Sequence, residues 1–76
     1  MPDMSSEQFE TVKARLRRIL RRCGWTIHLR RKKSGWYASA AKRDPDGQWH
    51  GKYIAPLYRI DEMDTGQIVA ILPDVA

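Results

Sequence analysis

GWYASAAKRDPDGQWHGKYI, residues 35–54, alternates side chains on either side of a turn signal, and the other elements can be placed from it. Asp44-Pro45-Asp46-Gly47 has proline where φ is preset near −65° and glycine where φ turns positive, so the chain reverses there. Strand-favouring Trp36, Tyr37, Trp49, Tyr53 and Ile54 flank the reversal, predicting a hairpin whose second arm covers residues 49–54. Alternation puts Trp36, Ala38 and Ala40 on one face, and Tyr37, Ser39 and Ala41 on the other. Alanines beside a tryptophan leave room for a helix to lie against the first face.

Upstream, residues 1–4 read as a frayed tail, and a helix over residues 6–23 follows. Ser5 and Gln8 have the spacing of a capping box, and Met4 and Phe9 occupy the staple positions. Phe9, Val12, Leu16, Ile19, Leu20 and Cys23 recur at three and four residues, an apolar stripe about 100° wide. Gly24 supplies a left-handed stop, with Trp25 placed to pack back on Leu20. The rest of the helix holds Lys13, Arg15, Arg17, Arg18, Arg21 and Arg22. Helix propensity and the helix dipole justify two or three of these cations. They do not justify six, because like charges such as Arg18 with Arg21 and Arg22 repel at i,i+3 and i,i+4.

Between helix and hairpin, residues 25–31 (WTIHLRR) alternate as a first strand, and residues 31–35 (RKKSG) form a basic loop into the second. Short connections make the three strands an antiparallel meander. Pro56 ends the third strand for want of an N–H. Leu57 and Ile60 are core contacts on an irregular segment or single turn. A short helix then starts at Asp64, with Gln67 at the capping-box position, Met63 and Ile68 as a staple, and an apolar edge of Ile68, Ile71 and Leu72 before Pro73.

The fold class is α+β: an N-terminal amphipathic helix on a three-stranded antiparallel meander, then a short C-terminal helix, α-β-β-β-α in one small domain of 76 residues. Trp25, Ile27, Leu29, Trp36, Ala38 and Ala40 face the helix. The opposite sheet face carries Thr26, His28, Arg30, Tyr37 and Ser39. From the third strand it takes either His50, Lys52 and Ile54 or, if a bulge shifts the alternation, Trp49, Gly51 and Tyr53.

All fourteen Lys and Arg lie between Lys13 and Arg59, where only Asp44 and Asp46 oppose them, a surplus of twelve positive charges. Three carboxylates precede that segment and four follow it. A basic middle between acidic ends is the footprint of a polyanion-binding protein. One cysteine, Cys23, allows no intrachain disulfide and suits a reducing compartment, and no apolar run reaches the length of a membrane span. The expected location is the cytoplasm.

For catalysis the inventory is thin. His28 and His50 are separated, Asp61, Glu62 and Asp64 read as helix-start charge, and no nucleophile–base set, phosphate loop or metal-ligand spacing occurs. The chain is expected to be no enzyme and to need no cofactor or metal. Nucleic-acid binding has positive support: Lys13, Arg17, Arg18, Arg21 and Arg22 on the helix, Arg30, Arg31, Lys32 and Lys33 around the loop, and Lys42, Arg43 and Lys52 on or near the sheet. Such cations neutralise phosphates, while Tyr37 or a histidine on the open face can stack on bases.

With its W-Y, D-P-D-G and Y-I landmarks, the run from Trp36 to Ile54 resembles the three-stranded sheet of AP2-type and phage-integrase arm-type DNA-binding domains. That resemblance, over about 40 residues, implies DNA rather than RNA as the partner, with Arg30, Tyr37, Ser39 and Lys52 as strand contacts in the major groove. The competing expectation is an interaction module whose basic face meets an acidic protein. A membrane surface ranks behind both, because binding one would take the apolar stripe away from the core. A monomer is expected, with the heptad-like spacing of Phe9, Val12, Leu16, Ile19 and Cys23 as a possible dimer seam.

Overall fold

The computed structural model describes residues 4–74. Helix α1 spans Ser6–Arg22, and strands β1 (Thr26–Lys32), β2 (Gly35–Arg43) and β3 (Trp49–Pro56) form one antiparallel sheet in the order β1-β2-β3. One turn of helix, α2 (Leu57–Ile60), and a final helix, α3 (Thr65–Ile71), complete the α+β chain. Residues 1–3 of the expected tail lie outside the described residues. Met4, also expected in that tail, is half-buried and packs on the core.

Local signals account for both long helix boundaries. Ser5 and Gln8 form the reciprocal capping box, the Ser5 side chain accepting from the Gln8 amide at 3.1 Å. At the other end Gly24, with φ +81°, donates to Arg21 O, and Trp25 donates to Leu20 O at 2.8 Å. This pair of bonds is a Schellman stop, with Cys23 as the cap rather than the last helical residue. Asp64 and Gln67 repeat the capping box on α3.

Strand β1 starts and ends one residue later than expected, and the basic loop is correspondingly shorter. Arg31 pairs with Trp36 and Lys32 with Gly35, which leaves a two-residue turn of Lys33 and Ser34. The β2–β3 connection places Gly47 at φ +88°, with Gly47 donating to Asp44 O and Asp44 donating to Gln48 O, both at 2.9 Å. It is a type I turn closed by a glycine bulge.

The core lies between the sheet and one helical layer. Leu16, Leu20, Leu57, Ile60 and Ile68 are its largest fully buried side chains, each contributing about 1.5–3 kcal/mol of burial. Ala38 and Ala40 are buried where the backbones approach. Trp36 points to the helical side but stays 39% exposed, because it sits at the rim against the Phe9 ring, 5.3 Å away. The apolar stripe of α1 is therefore occupied within the chain itself, by β1 together with α2 and α3.

The register shifts between Ala38 and Ser39: Ala38 pairs with Ala55, but Ser39 pairs with Tyr53. Ile54 is the extra residue, and it and Ala55 are both buried. Of the two arrangements open to β3, the bulge selects the one with Trp49, Gly51 and Tyr53 on the face away from the helices.

Candidate nucleic-acid interface

The basic residues divide between two surfaces on opposite sides of the molecule. On α1 the buried stripe fixes the rotation of the helix, and Arg17, Arg18, Arg21 and Arg22 project from the outer side, all exposed. They surround Ala14, whose short side chain leaves a shallow hollow of about 460 Å³ among the four guanidinium groups. None of the four has an ion-pair partner among the described residues.

The remaining helix cations are engaged. Lys13 lies 3.3 Å from Glu10 and 5.5 Å from the centroid of the Phe9 ring. Arg15, half-buried, donates to Ile60 O at 3.2 Å and Met63 O at 2.7 Å, so it caps the end of α2. Two of the six cations are thus accounted for by structure, and four are left to solvent.

The second surface is the uncovered sheet face. Cross-strand partners share a face, so it carries Thr26, His28, Arg30 and Lys32 from β1, Tyr37, Ser39, Ala41 and Arg43 from β2, and Trp49, Gly51 and Tyr53 from β3. Ser39, Ala41 and Gly51 are small, so the centre of the face is low. Two adjoining hollows, of about 550 and about 310 Å³, meet over His28, Ala41 and Gly51.

Aromatic rings rise at both ends of this trough. At one end Tyr37 and Tyr53 lie 5.6 Å apart, with Lys32 Nζ 4.6 Å from the Tyr37 ring centroid and 5.9 Å from that of Tyr53. At the other, the Arg43 guanidinium stands 5.5 Å from the Trp49 ring while its Nε donates to Gly47 O at 3.1 Å. Trp49 is 64% and Tyr53 50% exposed, which leaves ring area open to solvent. Beyond Trp49 the turn is pinned by Asp44, which lies 2.8 Å from His50 Nε2 and accepts from the Gln48 amide at 2.9 Å. The His50 hydrogen bond, and then the Gln48 amide, hold the Asp44 carboxyl below its ordinary range.

Two expected contact residues, Lys42 and Arg31, fall outside both surfaces, and a third, Lys52, stands at the margin of the open face. Lys42 reaches the end of α1, donating to Cys23 O at 3.3 Å and lying 6.0 Å from the Trp25 ring, so it caps a helix. Lys52 pairs with buried Ala40, and parity roots it on the helical side of the edge strand, from where it still borders the larger open-face hollow. Arg31, opposite Trp36, shares that side. Lys33 lies in the tight turn at the tip of the first hairpin, while Arg30, Tyr37 and Ser39 lie on the open face as expected. Trp49, Gly51 and Tyr53 reach that face through the bulge, whose position has no marker in the sequence.

Among the described residues no three His, Cys, Asp or Glu side chains gather as metal ligands would, and no helix is long and apolar enough to cross a membrane. No protein-family model matches the chain, and neither a curated protein nor a solved structure matches it significantly.

Proposed function

We propose that this domain binds nucleic acid, DNA in the first instance, and that the outer face of α1 supplies the main phosphate contacts. The observation behind this reading is the set of four exposed arginines, Arg17, Arg18, Arg21 and Arg22, without acidic partners among the described residues. Like charges one helical turn apart destabilise an isolated helix, and a row of phosphates relieves that repulsion. Two other cations of the same helix have structural employment, so helix stability alone does not explain these four. Arginine also suits the task chemically, since its planar fork binds phosphate oxygens in pairs.

Binding of this kind releases condensed counterions. Affinity for duplex DNA should fall linearly on a log–log plot against salt, by about 0.9 per phosphate neutralised. Changing Arg18 and Arg21 together to Gln should make that slope shallower by about two and weaken unrelated sequences alike. The melting temperature should change little, because both side chains project into solvent. A wild-type domain with no salt-dependent affinity for DNA or RNA would contradict the proposal and favour an acidic protein as the partner of the same face.

A further inference from the structure

We infer that the open sheet face is a second binding surface, with unpaired, single-stranded nucleic acid as its occupant. This rests on the nucleic-acid reading above and adds a class of strand and a separate site. Three features of the face carry it.

The first is shape. Along β3 the open-face residues run Trp49, Gly51, Tyr53: a ring, a gap and a ring. Neighbouring positions in that row are two residues apart, about 6.6 Å at the usual rise of a strand. A Cβ built on Gly51 meets no atom within 4 Å, and the floor beside it is Ser39 and Ala41. Reading base edges inside a duplex groove requires polar side chains that stand proud of the surface. Here the centre is low and the planar groups stand at the ends, which suits a base laid onto the protein.

The second feature is the exposed ring area of Trp49 and Tyr53, which are 64% and 50% open. Both rings carry a cation near them, so the aromatic platforms come with charge for a sugar–phosphate backbone. The third is complementarity. Arg30, Lys32 and Arg43 belong to this face, and no carboxylate does. Asp44, which follows Arg43 in the chain, is held by His50 and the Gln48 amide. Duplex DNA buries its base faces in its own stack, so only an unpaired strand can use exposed rings in this way.

The experiment compares a labelled poly-thymidine strand with a duplex of equal length by fluorescence anisotropy, for wild type, Tyr53→Ala, Trp49→Ala, Tyr53→Phe and Gly51→Trp. Base–ring stacking energies correspond to a loss of about five- to 150-fold per ring removed. Tyr53→Ala and Trp49→Ala should each weaken strand binding by that order and leave duplex binding within about twofold. Tyr53→Phe should bind the strand like wild type. Gly51→Trp, which fills the gap from a position with free space, should block the strand while the domain melts cooperatively. If folded Tyr53→Ala and Gly51→Trp bind the strand as wild type does, this inference is overturned and the helix reading stands. If wild type binds neither nucleic acid, both fall. If Arg18→Gln with Arg21→Gln leaves the salt slope unchanged while Tyr53→Ala abolishes strand binding, the sheet is the site and the helix is not.

Discussion

Arg15 and Arg18 are three residues apart on one helix and have unrelated roles. Arg15 borders the apolar stripe, and its guanidinium reaches two carbonyls at the end of α2, more than forty residues away in sequence. Arg18 lies opposite the stripe in solvent. Charged-donor hydrogen bonds in such positions contribute about 1.5–3 kcal/mol. Arg15→Gln should therefore lower stability by about that amount in urea denaturation and leave the salt slope of DNA binding as in wild type. A stable Arg15→Gln domain with weakened DNA binding would move Arg15 into the interface. Lys42 resembles Arg15: it stands on a strand that could face a ligand, yet it caps α1. Composition marks such residues as basic. Only the packing of distant elements tells which cations are already engaged.

Among the elements, those fixed by neighbours in sequence were the most legible. Both capping boxes, the Gly24 stop and the positive φ of Gly47 follow from three to six consecutive residues. The bulge does not. It arises because Ala38 must meet Ala55 and Ser39 must meet Tyr53 across the sheet, a pairing that no local pattern states. A different pairing, between β1 and β2, sets Lys32 opposite Gly35, extends β1 and converts an expected loop into a two-residue turn.

The turn after β2 offers a test that local chemistry dictates. Hydrogen bonds to the charged form of Asp44 lower its folded pKa below an unfolded value of about 3.9. Its contribution to stability is thus fully present above the unfolded value and is lost as pH falls through the lower folded value. Asp44→Asn should melt below wild type at neutral pH, and the difference should shrink as pH falls past about 4. A gap that stays constant into acid would assign the stability of this turn to neutral hydrogen bonding and would contradict the role given to its charge.

At the scale of the molecule, two layers about 16 Å through their thinnest dimension separate two basic faces. The charge count raised the expectation of a polyanion partner but carried no sign that the cations would divide. On one face they are arginines without acidic partners among the described residues, with no aromatic ring beside them. On the other, cations stand beside rings over a floor of small side chains. One straight duplex cannot lie along both faces at once, so the two proposals together require paired and unpaired strands to take separate places. Titration of the isotope-labelled domain with a short duplex, and separately with a short single strand, would test this division through residue-resolved NMR shifts. The expected result is that the duplex perturbs the guanidinium and amide signals of Arg17, Arg18, Arg21 and Arg22, while the strand perturbs Tyr37, Trp49, Gly51 and Tyr53. Shifts on one common set of residues for both ligands, or no shifts on either face, would contradict it.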